Sequence, residues 1–503
     1  VFAPASQFIN RCETVRTGVD ANGRPFPDIA GTALLERFWL RSWTNETYLF
    51  NTEVVDRNPN DFTNRRDYFA VLRTFATTAS GKEKDDFHFS EPTVDTVARQ
   101  QSTPSATYGA RFIALASSPP RDFRVLYTEP NSPASAVTGG QVALQRGSRI
   151  LRVNGIDLVN ANSQADIDAL NAALFPRNPG TTTTFVVRDP GASVDRTVQV
   201  SSVNLASTAV NRTRVISTPT GPVGYILFNT FSPFASETQI VNAITTLSGQ
   251  GVNDVVLDLR YNGGGLLAVA SQLSFMIAGP SRTNGRTFEL LRFNAAAGNR
   301  NPVTGETNNP IPFYNTGLGF TVNNGTPLPN LNRARVYILS TDDTCSASEA
   351  VINGLRGIGV EVILIGSKTC GKPFGFYPQD NCGETYYTIQ FQGVNNVGFG
   401  DFADGFIPNN SPETFGVRLP GCEVADDLTR ELGDPNEALL AAALQFRANG
   451  TCPAPPPRTV GQSVRNGDGT AATLPSPLDI APPAPSVMET NVDMTLPATI
   501  GGR

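Results

Sequence analysis

The sequence predicts a multidomain protein of the α/β class, and three observations carry that expectation. The chain has 503 residues, enough at about 150 residues per domain for roughly three domains with real cores. From Pro222 onward, apolar runs of strand length alternate with stretches of helical periodicity, the layering expected where helices cover a largely parallel sheet. Upstream, residues 103–202 hold short β-like runs separated by turns, which marks a separate β-rich unit.

Taken in order, residues 32–50 place Leu35, Trp39 and Trp43 at four-residue spacing, which predicts an amphipathic helix. A second helix is expected over 65–78, with Tyr68, Val71, Leu72 and Phe75 on one face, so residues 12–95 read as a helical N-terminal region. Residues 103–205 form the β-rich unit, with strands expected at 111–115, 123–127, 149–153, 183–187 and 197–200. A helix over 163–174 interrupts them, opened by a serine cap at Ser163 with Asp166 three residues on. The α/β core spans 206–450. Strands are expected at 223–228, 255–259, 336–340 and 361–365, and helices at 236–247, 265–277, 346–355 and 435–446. Residues 451–503, with ten prolines from 453 onward, read as an extended tail.

Composition excludes several functions. Charged residues make up 17%, below the roughly 25% of an average soluble protein. The formal charge of -6 supplies no basic field for phosphate backbones, which argues against nucleic acid as a partner. No apolar run reaches the ~20 residues needed to cross a bilayer, so a soluble chain is expected. The start, Val-Phe-Ala-Pro, suits a processed chain and leaves room for a lost lipid anchor. His88 is the one histidine, and no Cys-x-x-Cys pair is present, so neither a zinc site nor an organic cofactor is expected. Any activated serine must then take its base from His88 or from a lysine. Six cysteines, at 12, 345, 370, 382, 422 and 452, are an even number without metal spacing. They predict disulfides and an extracytoplasmic location, periplasmic, cell-envelope or secreted.

Three local patterns carry chemistry. The run from Arg146 to Gly155, preceded by Ser132-Pro133-Ala134, is by itself a strand and a turn. The run from Asp258 to Gly265 ends in three glycines between a buried strand and a helix, where backbone N–H groups are free to face an anion. No Lys-Ser/Thr pair follows it, which excludes a Walker-type phosphate loop. The third pattern, Thr344 to Glu349, begins a helix, and Lys372 lies 26 residues beyond Ser346, one helix plus one strand away. In a parallel sheet that spacing brings both to the carboxyl edge, where ligands bind.

The first pattern resembles a PDZ domain of the bacterial protease type, with Ser148 where an aspartate is usual. That resemblance implies a groove accepting an extended peptide by strand addition, with Gly109, Ala110, Arg111 and Phe112 as its carboxylate-binding turn. In order and spacing, all three patterns resemble the C-terminal processing peptidases, or tail-specific proteases, through motifs of the form D-L-R-x-N-x-G-G, S-A-S-E and T-x-G-K at Asp258–Gly265, Ser346–Glu349 and Thr369–Lys372. Asp404 to Pro408 looks like the family's later segment. The resemblance implies a serine endopeptidase with a crotonase-like βα-layered core acting on protein or peptide substrates. It makes Ser346 the nucleophile, Lys372 the general base, and the amides of Ala347 and of Gly264 or Gly265 the oxyanion hole. Such donors contribute about 2.7 to 4 kcal/mol each, and the lysine must be neutral to act, below its ordinary value of about 10.4.

The family's glutamine four residues after the lysine is here Phe376, which leaves Gln379 and Glu384 as candidate third members. A Cys370 to Cys382 disulfide is the pairing that would pin the lysine loop. Asp86-Phe87-His88 loosely fits an Asp-x-His pattern of relatives that use histidine, so His88 is the alternative base. A catalytically inactive peptide-binding protein, and a serine hydrolase of non-protein amides or esters, are the rival readings. Substrate identity and oligomeric state are left open.

Overall fold

The computed structural model describes residues 2–454, so the proline-rich tail beyond Ala454 lies outside the described residues. Thr32 caps the first helix, α1 (Ala33–Thr47), by accepting the Leu35 N–H. The expected four-residue spacing brings Trp39 and Trp43 together, their rings stacked 5.0 Å apart. The helix expected over 65–78 is shorter: α2 is Arg65–Ala70. Beyond it the Thr74 N–H donates to the Tyr48 hydroxyl and Phe75 points outward, 56% exposed, because side-chain partners there replace the next helical turn. The α-helices described in this region are α1, α2 and α3 (Thr93–Gln100), with single 3-10 turns at Asn51–Glu53 and Pro59–Asp61. The region is stitched to later sequence by strand Phe89–Pro92, antiparallel to Glu384–Tyr387, and by a Cys12–Cys382 disulfide.

The β-rich unit holds β1 (Ala110–Ala116), β2 (Asp122–Thr128), β3 (Arg149–Val153), β4 (Thr182–Arg188) and β5 (Arg196–Ser201), each containing an expected run. They pair antiparallel in the order β5-β4-β3-β2-β1, with β1 at the sheet edge. Ser163 accepts the Asp166 N–H and starts α4 (Gln164–Leu174) as expected. Ile167, Leu170 and Leu174, spaced three and four apart, bury against Val125, Ile150 and Phe185. Ser148, at the position of the usual aspartate, donates to Asp189, which Arg196 holds in turn.

The core sheet is mixed. Strand β6 (Val210–Ile216), which the periodicity did not indicate, runs antiparallel to β7 (Val223–Phe228). From β7 onward, β8 (Asp254–Asp258), β10 (Arg335–Ser340), β11 (Glu361–Gly366) and β13 (Gly421–Glu423) are all parallel, in that spatial order. Strand β9 (Thr287–Arg292) pairs instead with β12 (Phe391–Val394) in a separate sheet. The long stretch between β9 and β10 is largely irregular and was also not foreseen. Period-two alternation explains the apolar runs: Ile226, Phe228, Leu257, Ile338 and Leu364 face one core, and Tyr225, Leu227, Val256, Leu339 and Ile365 the other. The first core is closed by α5 (Ser236–Ser248), α6 (Leu267–Ala278) and α7 (Ala347–Gly357). The second is closed by α8 (Ala438–Asn449), joined by Leu126 and Tyr127 of the β-rich unit. Among the described residues no helix is long and apolar enough to cross a membrane.

Candidate active site

Parallel strands direct their carboxyl ends to one edge, so the loops after β7, β8, β10 and β11 meet there. The loop after β8 is anchored by Arg260, which is fully buried. Its guanidinium is bidentate to Asp258 at 2.9 Å and to Glu437 at 2.8 Å, and bonds Asp426 at 2.8 Å. Arg146 of the β-rich unit reaches the same Asp426 oxygen at 2.9 Å.

Asn262 then sews the glycine turn to its neighbours. Its Nδ2 donates to the Phe228 carbonyl, its Oδ1 accepts the Gly264 N–H at 3.0 Å, and its carbonyl accepts from Cys345 N–H and the Ser348 hydroxyl. Gly264 sits at φ +109°, and a Cβ there would lie 2.7 Å from that of Ser346. Glycine is thus required by both backbone conformation and space.

Ser346 heads α7 at φ +61°, ψ −116°, a region that L-residues rarely occupy. Strain of that kind, of order 1–3 kcal/mol, is held only where neighbours overdetermine the turn. Here they do: Glu349, one turn on and fully buried, accepts the Ser346 N–H at 3.1 Å, closing half of a capping box. The same carboxylate accepts the Lys372 N–H at 2.7 Å, the Gly371 N–H at 2.9 Å and the Thr369 hydroxyl at 2.5 Å. Burial pushes the Glu349 carboxyl above its ordinary range, against these donors.

A Cys345–Cys370 disulfide ties the same two loops together. It replaces the expected Cys370 to Cys382 pairing. Cys382 is instead beside Cys12, because its hairpin packs on the N-terminal region, and Cys422 joins Cys452. Cys345, Glu349 and Cys370 are the one metal-like cluster among the described residues, but the two sulfurs are bonded to each other and offer no thiolate.

Ser346, Ala347, Gly264, Gly265 and Lys372 are therefore brought to one edge. Lys372 is 1% exposed, its Nζ 4.1 Å from the centre of the Phe376 ring and 5.0 Å from that of Phe87. Lys82 approaches from the N-terminal region and donates to the Cys370 carbonyl at 2.7 Å. His88 is buried elsewhere in its bonding: Nε2 contacts the Phe69 carbonyl at 2.9 Å, Nδ1 the Thr388 hydroxyl at 3.1 Å, and its ring stacks on Phe69. Glu384 is spent on Arg66 and Ser90, and the Gln379 Nε2 on the Asp380 carbonyl. Gly109 leads into edge strand β1, which contains Ala110, Arg111 and Phe112, and Arg111 and Phe112 line a cleft shared with Asn229 and Tyr261 of the core. Sequence reasoning held Asn262 and Glu349 as motif positions without giving either a role, and it missed Lys82. Glu349 also left a local signal, the Ser-x-x-Glu spacing of a capping box.

The chain is similar to known proteins in part of its sequence and in its fold. Residues 222–377 match the model of peptidase family S41. The carboxyl-terminal-processing protease of Picosynechococcus sp. (strain ATCC 27264 / PCC 7002 / PR-6) is 28% identical over 248 residues, 49% of this chain and 50% of that protein. The chain thus matches about half the length of that curated relative. A crystal structure described as an S41 protease from Bacteroides fragilis NCTC 9343 superposes with a TM-score of 0.60 at 24% identity, covering 85% of this chain and 98% of that one. The photosystem II D1 C-terminal processing protease gives a TM-score of 0.41 at 20% identity over 78% and 94% of the two chains.

Proposed function

The chain carries a peptidase family S41 domain over residues 222–377, and from that premise we propose that it is a serine endopeptidase with Ser346 as nucleophile and Lys372 as general base. The observation that carries the reading is the Glu349 carboxylate, which holds the Ser346 turn and the Lys372 loop against each other.

On this reading the Ser346 Oγ attacks a substrate carbonyl carbon while its proton passes to neutral Lys372 Nζ. The buried amine lies against the ring faces of Phe87 and Phe376. The oxyanion is held by the Ala347 N–H and, of the two glycines, by Gly265, since the Gly264 N–H is already given to Asn262. The Lys372 ammonium returns its proton to the leaving amine. A water then attacks the Ser346 ester, with the lysine again taking the proton.

His88 is not assigned as base, because both its ring nitrogens have other partners. The β-rich unit is read as a PDZ-like domain that presents an extended peptide through edge strand β1, near Gly109 to Phe112. The domain boundaries 12–95, 103–205, 206–450 and 451–503 belong to the same reading. Three disulfides support an extracytoplasmic compartment.

The test is hydrolysis of casein by the wild type, Ser346→Ala, Lys372→Ala and His88→Gln, with circular dichroism to confirm folding. Loss of turnover in the first two variants and its retention in the third is expected. Loss with His88→Gln and survival with Lys372→Ala would overturn the base assignment. A folded wild type that binds peptide without cleaving it would select the peptide-binding alternative.

A further inference from the structure

Beside the glycine turn, a cleft of about 360 Å³ opens between the β-rich unit and the core. Phe112, Tyr127 and Glu129 line it from the β-rich unit, Asn229, Ser232 and Asp343 from the core, and Asp95 and Arg99 from α3. Asn229 and Ser232 sit in the loop after β7, the strand end nearest the catalytic edge. That loop is bonded directly to the glycine turn, Phe231 N–H to the Gly264 carbonyl at 2.9 Å and Leu266 N–H to the Phe231 carbonyl at 3.2 Å.

Asn229 is 7% exposed and Ser232 1%. Neither the Asn229 Nδ2, nor its Oδ1, nor the Ser232 Oγ has a hydrogen-bond partner among the described residues. Buried polar atoms are almost always paired, because leaving them unpaired forfeits the bonds that water made in the unfolded chain. Three orphaned atoms in adjacent positions of one wall are therefore a defect in the isolated molecule and a complement to something that enters. A carboxamide offers a donor and an acceptor in one plane, the complement of a peptide unit's C=O and N–H. Phe112 and Leu126 offer apolar surface to the side chains of such a segment, beside the charged Arg111 and Glu129.

We propose that this cleft is a substrate subsite for an extended stretch of peptide backbone, with Asn229 bonding one peptide unit and Ser232 a neighbouring one. The segment passes from the β-rich unit toward the oxyanion turn. The lining comes from α3, the β-rich unit and the core, and Tyr127 of the β-rich unit stacks on Tyr261 of the core at 5.8 Å, so the buried amide is uncovered only when these parts separate. This deepens the endopeptidase reading and rests on it.

The test uses the full chain in a Ser346→Ala background and a fluorescein-labelled, unstructured ten-residue peptide, followed by anisotropy. Adding Asn229→Ala is expected to weaken binding about tenfold, and Ser232→Ala to weaken it less, in the same direction. Because the Asn229 amide makes no internal bond, the melting temperature of Asn229→Ala is expected to stay level or rise. In the active enzyme, Asn229→Ala should raise KM for the ten-residue peptide by more than it alters hydrolysis of p-nitrophenyl acetate, an ester with no peptide backbone for Asn229 to bond. Unchanged peptide affinity in both variants, or a fall of several degrees in melting temperature together with equal losses on peptide and ester, would overturn the subsite. Tight, Asn229-dependent binding with no hydrolysis by the wild type would uphold the subsite and sink the endopeptidase reading.

Discussion

Glu349 has no exposed surface and accepts from three backbone amides and one hydroxyl, drawn from two loops that the chain separates by a helix and a strand. Removing it strands four donors at once, and each buried orphan costs about 1–3 kcal/mol. Glu349→Ala is therefore expected to lower stability by about 3 kcal/mol or more in urea titrations and to reduce casein turnover by at least about a hundredfold, corresponding to ~2.7 kcal/mol in the barrier. Glu349→Gln, which keeps one acceptor oxygen, should retain more of both; equal stability in wild type and Glu349→Ala would discredit this account. The Ser-x-x-Glu spacing announced the helix start at Ser346, because a cap is local chemistry. The donors from Thr369, Gly371 and Lys372 were not legible, because nothing in the intervening residues records where the next loop folds back.

Among the elements, β7, β8, β10 and β11 were readable because both their faces are buried, leaving continuous apolar runs. The α2 helix was over-read, since an apolar face continues through Phe75 while Tyr48 and Glu53, remote in sequence, take the backbone and hydroxyl of Thr74. The cysteine pairing was misread for a similar reason: closeness in sequence suggested Cys370 with Cys382, whereas the strand order carries Cys370 to Cys345. A peptide map under non-reducing conditions should recover Cys345–Cys370, Cys12–Cys382 and Cys422–Cys452. Replacing Cys345 and Cys370 together by alanine removes a crosslink with a sequence separation of 25 and is expected to lower stability by about 3 kcal/mol. A map that joins Cys370 to Cys382 would contradict the arrangement of these loops.

For the molecule as a whole, Asp254 at the start of β8 is gripped from two sides, by Arg335 of β10 at 2.6 Å and by Arg447 of α8 at 2.6 Å. Burial pushes its carboxyl up, but the two guanidinium groups prevail and hold it below its ordinary 3.8. A depressed carboxyl contributes stability that is present above 3.8 and is lost as pH falls through the folded-state value. Asp254→Asn should therefore unfold more readily than the wild type at pH 7, with the difference closing in thermal melts as pH falls from 3.8 through the folded-state value. A constant difference across that fall would show that the pairing contributes through shape alone.

The sequence by itself determined the α/β class, the β-rich insertion before it and the three motifs at strand and loop positions, because periodicity, caps and glycine turns act within a few residues. Only the tertiary structure decided what those motifs touch. The carboxyl edge of the parallel sheet gathers loops far apart in the chain, so the Glu349 clasp, the Cys345–Cys370 bond, the spent nitrogens of His88 and the orphaned amide of Asn229 exist only once the strands are ordered. Hydrogen bonds and disulfides act over a few ångströms, and which atoms come that close is set by strand order, which no local pattern in the chain encodes.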